Sequence, residues 1–184
     1  MLIRDATPND VPAIQTIYAH HVSHGLGSFE LEPPSVEDMT GRLEAVTGVG
    51  LPFLVAIEGD EILGYAYASR YRPRAAYRFT AEDSVYVAPA AQRRGVGRAL
   101  LAELAGRCAA SGIRQLVAVI GGSGNVESIR LHEALGFQHI GIATAVGWKH
   151  GRWVDTVFMQ RSLGDGSGAP PRLSGPGPAA DVAP

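Results

Sequence analysis

Apolar positions recur along the chain with two different periods, and the switches between them mark out its elements. Leu2 to Ala6 has the length and character of a short strand. Pro8, Asn9 and Asp10 open a helix that sets Val11, Ile14, Ile17 and Tyr18 on one face. Ser35 and Asp38 outline a capping box, with Asp where Glu is usual, ahead of a second helix through Val46. Leu51 to Glu58 is an apolar strand, Gly59-Asp60 a turn, and Ile62 to about Tyr71 the return arm of a hairpin. Thr80 to Val87 reads as a further strand and Pro89 to Arg94 as a loop. Val96, Leu100, Leu101, Leu104 and Cys108 then recur at helical spacing until Gly112 stops them. Gln115 to Ile120 is apolar in the manner of a buried strand. A Gly-rich loop leads into a helix from about Asn125 to Leu135, closed by Gly136. Ile140 to Val146 and Trp153 to Arg161 make a final antiparallel pair. This order predicts an α/β chain of the α+β type, with helices packed on a mixed, mostly antiparallel sheet.

The periods stop near Leu163. From Gly164 to Pro184 the chain is rich in Gly, Pro and Ala and has no apolar stripe, so it is expected to be a disordered tail behind a folded domain of residues 1–163. With 184 residues, 46% of them hydrophobic, there is material for one sizeable core. Sixteen basic residues against eighteen acidic ones give a formal net charge of −2, which speaks against nucleic-acid binding by bulk charge. No apolar run approaches the ~20 residues that cross a bilayer. Arg4 and Asp5 interrupt the N-terminus where a secretory signal needs an apolar stretch. A single cysteine, Cys108, excludes an internal disulfide and suits a cytoplasmic protein.

Candidate chemistry concentrates in Ser84 to Leu101, SVYVAPAAQRRGVGRALL. A strand ends, a loop carries Arg93 and Arg94, and Gly95-Val96-Gly97 opens a helix that carries Arg98. Unpaired amides at such a helix start, the positive end of its dipole and the neighbouring guanidinium groups make a site for a pyrophosphate. The same glycine pair also suits a tight strand-to-helix turn. The dinucleotide fingerprint is incomplete, because Leu100 stands where a third glycine belongs. His20, His21 and His24 lie close together, but no accompanying Cys or carboxylate set suggests a metal site, and none is expected.

Gln92-Arg93-Arg94-Gly95-Val96-Gly97 after the strand Ser84–Val87 resembles the acetyl-CoA loop of the GNAT superfamily of N-acetyltransferases. The likeness spans the domain and is nearest to the phosphinothricin and methionine sulfoximine acetyltransferases. It is carried by Phe29–Ser35, Gly64–Val87, Ala118–Gly122, the run HEALGF and Val146–Gln160. The resemblance implies a fold whose central strands splay, acetyl-CoA as cosubstrate, transfer of an acetyl group to the amine of a small glutamate-like amino acid, and a homodimer. It assigns Val85, Tyr86 and Val87 to backbone contact with the pantetheine arm, and Arg93, Arg94, Gly95, Val96, Gly97 and Arg98 to the pyrophosphate. Asn125 and Ser128 are expected to contact the cofactor. At ~100° per residue they share one helix edge with His132, within about 60° of one another.

Two needs define the reaction: the amine must lose a proton before it attacks, and the thioester oxygen needs donors as charge builds on it. Glu82 is the candidate base. His132 stands where the superfamily often has Tyr, and reads either as a proton relay to the thiolate or as a satisfied, half-buried histidine. Arg72, Pro73 and Arg74, with Glu82, Asp83 and Ser84, are the candidate contacts to the amino acid; an Arg fork suits carboxylate or phosphinate oxygens. Rival readings are a GNAT enzyme for another amine or a protein N-terminus, and an acyl-CoA-binding module without catalysis.

Overall fold

Local chemistry sets the element boundaries in the computed structural model, which describes residues 1–171. The Ser35 hydroxyl accepts from the Asp38 amide at 3.1 Å and the Asp38 carboxylate accepts from the Ser35 amide at 3.0 Å. This is the predicted capping box, and it starts α2 (Val36–Gly48). Helix α1 (Val11–His24) buries Val11, Ile14, Ile17, Tyr18 and Val22 on one stripe. Ahead of it, Asp10 holds a fork from Arg4 at 2.7 and 2.8 Å and also accepts from the Thr7 amide, tying β1 (Leu2–Asp5) to the helix entrance. The hairpin β2 (Phe53–Glu58) and β3 (Glu61–Arg70) and the strand β4 (Thr80–Val87) follow the apolar pattern. So do α3 (Val96–Ala110), β5 (Gln115–Gly121) and α4 (Val126–Glu133).

The last pair is longer than its apolar pattern indicates: β6 spans Gln138–Lys149 and β7 spans Arg152–Ser162. His150 and Gly151, with φ of 49° and 73°, form the two-residue turn whose positive angles match the twist of a hairpin. Between Ala143 and Gly147 the β6 register shifts, and the Asp155 carboxylate accepts from the Ala145 amide (2.9 Å) and the Ser123 hydroxyl (2.6 Å). That bulge binds the hairpin to the loop before α4.

Among the described residues, seven strands make one sheet in the order β1-β2-β3-β4-β5-β7-β6, and four α-helices cover it. Only β4 and β5 run parallel, and they pair over just four positions, Thr80–Asp83 against Gln115–Ala118. Beyond Asp83 the two strands part, leaving a wedge between Ser84–Val87 and Val119–Gly121. Helices α1 and α2 lie on the face of Tyr86, whose ring meets Tyr18 at 4.9 Å. Helices α3 and α4 lie on the opposite face, where Gly97 sits against the Val85 and Val87 side chains. The core runs through both layers and includes Tyr65, Leu100, Leu104, Leu116 and Met159.

Of the segment read as a tail, residues 172–184 lie outside the described residues. Its beginning turns back: Gly166 donates to the Leu163 carbonyl at 3.0 Å, and Arg114 donates to the Ala169 carbonyl at 3.1 Å. Among the described residues no helix is long and apolar enough to cross a membrane.

Candidate active site

The parting of β4 from β5 opens a cleft of about 1030 Å³ that runs from the start of α3, through the wedge, to the α1–α2 loop. Strand alternation decides which backbone groups face it. Ala88 donates to the Leu63 carbonyl and Tyr71 to the Thr80 carbonyl, so even-numbered residues of β4 direct their main-chain groups at β3. Odd-numbered residues direct theirs at β5. Past Asp83 that neighbour is gone, so the amides of Val85 and Val87 look into the wedge. The Val87 carbonyl accepts from His21 Nε2 at 2.9 Å.

At the cleft's other end, Gly95 takes φ 82°, a left-handed angle that costs glycine nothing. This turns the chain into α3, whose first intrahelical bond is Ala99 N–H to the Gly95 carbonyl. The amides of Val96, Gly97 and Arg98 therefore have no partner within the helix. Arg93 and Arg98 rim this end. The group of donors fits a diphosphate.

Glu82 and Ser84 share the face of Tyr86, and Ser84 lines the cleft. Burial, and then the neighbouring Asp83 charge, push the Glu82 carboxyl above its ordinary value despite the opposing Arg72. Asp83 points to the other face, where it is 6% exposed and accepts at 3.0 Å from His132 Nε2. His132 is 2% exposed and donates from Nδ1 to the Ser128 carbonyl at 2.7 Å. Burial works against its charged form, but the bond to Asp83, the Asp83 charge and the Ser128 carbonyl outweigh it and raise His132 above its ordinary value. The pair ties α4 to β4 at the last position before the wedge opens.

Residues 3–158 match the acetyltransferase (GNAT) domain family. The chain belongs to that family. The phosphinothricin N-acetyltransferase of Alcaligenes faecalis is 53% identical over 164 residues, covering 89% of this chain and 83% of that protein. The L-methionine sulfoximine/L-methionine sulfone acetyltransferase of Pseudomonas aeruginosa is 38% identical over 169 residues, 91% of this chain and 98% of that one. The crystal structure of a phosphinothricin acetyltransferase from Sinorhizobium meliloti, in complex with acetyl-CoA, superposes with a TM-score of 0.92. It is 47% identical and covers 95% of this chain and 94% of that one.

On this GNAT frame the expected site residues separate into groups. Val85, Val87, Arg93, Gly95, Val96, Gly97, Arg98, Asn125 and Ser128 all border the cleft. Asn125 also caps α4, its side-chain oxygen accepting from the Ser128 amide at 3.3 Å. Three further expected residues are set apart from this group. Tyr86 borders the cleft, while its main chain pairs with β3 and its ring packs on Tyr18 of α1. Arg94 does not border the cleft and pairs with Glu58 at 2.6 Å. Asp83 and His132 both border the cleft, with Asp83 on the opposite face of β4 from its neighbour Glu82.

Arg72, Pro73 and Arg74 are exposed on the β3–β4 connection, with the Arg72 guanidinium 5.1 Å from the centre of the Tyr71 ring. Arg72 is close enough to act on the Glu82 charge. Sequence reasoning misses His21, the Leu26–Gly27 stretch and Val154–Asp155, which also border the cleft. The crowding of three histidines ahead of a glycine-bearing loop is the available signal for His21.

Proposed function

We propose that the protein transfers the acetyl group of acetyl-CoA to the amino group of a small acidic amino acid of the phosphinothricin or methionine sulfoximine type. The observation that carries this reading is the wedge: unpaired amides of Val85 and Val87 on one strand, an uncapped glycine-bearing helix start at one end, and the Glu82 carboxylate past the other. When bound, acetyl-CoA supplies an acyl group activated as a thioester. Main-chain donors of α3, with Arg93 and Arg98, hold its diphosphate, while the Val85 and Val87 amides hold the arm and meet the carbonyl oxygen as charge builds there. Glu82 accepts the proton that the ammonium group must shed, and its raised pKa makes it a stronger base for that task. Arg72 and Arg74 meet the acceptor's anionic groups. His132, with both ring nitrogens engaged, positions α4 rather than relaying a proton.

The test is release of free thiol from acetyl-CoA across a panel of amino acids, their phosphinic and sulfoximine analogues, and short peptides. Acidic analogues are expected to give the highest kcat/KM. Preference for a neutral peptide amine would reassign the acceptor, and absence of release with every amine would leave only an acyl-CoA-binding module.

We also infer a homodimer in the cytoplasm. Support for the cytoplasm is the lone, buried Cys108, whose thiol is pushed up to about 12 by burial. Support for the dimer is β6, the outermost strand, which exposes Ile140, Ile142, Val146 and Trp148 beside the 64% exposed Trp153 of β7. Residues 140–148 carry no charge, so no like-charge repulsion opposes packing of this apolar surface against a second copy. Light scattering of the wild type is expected to give twice the chain mass, and Ile142→Lys with Trp153→Lys to give the monomer mass. A monomeric wild type would remove the dimer.

A further inference from the structure

Loop residues 25–30 cross the open wedge on the Glu82 face. The main chain of Leu26 and Gly27 rests on Gly121 at the end of β5, where any side chain would collide with it. The Phe29 ring lies on Gly147 of β6 in the same way. Between these two seats, Lys149 at the end of β6 donates from Nζ to the Ser28 carbonyl oxygen at 2.7 Å. The Ser28 hydroxyl is 2.8 Å from the Tyr18 hydroxyl, which donates to Glu30 Oε1 at 2.8 Å. Arg42 closes on both Glu30 oxygens, at 2.7 and 3.1 Å. Tyr18 in turn packs on Tyr86 of β4. One continuous chain of contacts thus runs from the sheet's outer edge, over the wedge, to the strand that carries Glu82.

The cation in this chain is out of place for stability alone. Lys149 is 2% exposed, and its ammonium group has three donors but a single neutral acceptor within bonding distance, with Glu30 as the nearby opposite charge. Burying an ammonium group costs far more than burying an apolar chain of equal length, so Met would fill the same space more cheaply. Conflicts of this kind between a residue and its surroundings gather where function requires them.

We infer that Lys149 is a positioning residue for the acceptor: it latches the β6–β7 hairpin to loop 25–30, making that loop a fixed wall opposite Glu82. This rests on the reading that the amine meets Glu82 on that face. With the latch in place, an amino acid enters a site whose wall is already set. Without it, the wall has to be ordered by the acceptor, at a cost in acceptor affinity and none in cofactor affinity.

The experiment is steady-state thiol release with Lys149→Met, varying phosphinothricin at saturating acetyl-CoA, together with calorimetric titration of acetyl-CoA and hydrogen exchange of residues 25–30. The acceptor KM is expected to rise about tenfold with kcat nearly kept, the pattern of a lost binding contribution. Acetyl-CoA affinity is expected to hold, and exchange in 25–30 to quicken. Gly147→Ala, which displaces Phe29 without touching the cation, is expected to give the same split. An unchanged acceptor KM in both variants, with an active wild type, overturns the latch and leaves the enzyme reading intact. A wild type inactive on every amine overturns the enzyme reading itself.

Discussion

Glu82→Gln is expected to lower kcat by about 100- to 1,000-fold, the usual contribution of a positioned general base. The amide keeps the shape of the carboxylate but cannot take a proton from an ammonium group. Acetyl-CoA affinity should change little, because the groups proposed to hold it are the main-chain amides of Val85, Val87 and the start of α3. The pH profile gives a second reading. Burial and the Asp83 charge raise the Glu82 pKa, so the acidic limb of kcat/KM should fall through a midpoint above the ordinary carboxylate value. Activity is present above that midpoint and lost as pH drops below it, and the limb should vanish in Glu82→Gln. A variant with unchanged kcat would take Glu82 out of the reaction.

Gly95→Val attacks the other end of the cleft. A β-branched residue at φ 82° bears a penalty of about 1–2 kcal/mol, and the loop relieves it by refolding. Open space surrounds the missing Cβ, so the damage comes from backbone angle and not from a clash. The three amides of Val96, Gly97 and Arg98 then lose their common aim, and acetyl-CoA should bind about 10- to 100-fold more weakly, at ~1.4 kcal/mol per tenfold. Gly95→Ala should lose less. Equal affinity in Gly95→Val would place the diphosphate elsewhere.

Much of the fold is legible in the residues alone. The Thr80–Val87 strand, the Ser35 cap and the apolar stripe of α3 rest on period and capping chemistry, both local, and the structure has each where the pattern puts it. The glycine pair after a strand marks the uncapped start of α3 for the same reason. Orientation across the sheet is harder to read. Alternation alone puts Glu82 and Asp83 on opposite faces of β4, and only the packed structure shows what each face meets. The separation of Arg94 from Arg93 depends on Glu58, thirty-six residues away, and no local pattern encodes that pairing. The full length of β6 is hidden because nearly every residue in it is exposed, so no buried face imposes an alternation to read. Lys149 is hidden by its type, since a lysine near a hairpin turn reads as solvated until the loop that covers it is placed.

The central claim is that the gap between β4 and β5 holds acetyl-CoA with its acyl end toward Glu82. A crystal structure of the protein with coenzyme A and phosphinothricin bound tests it most directly. The account predicts the diphosphate on the amides of Val96–Arg98, the arm against Val85 and Val87, and the amino group within hydrogen-bond or single-water reach of the Glu82 carboxylate. Coenzyme A seated outside that gap, or an amino group on the Asp83–His132 side of the sheet, would contradict it.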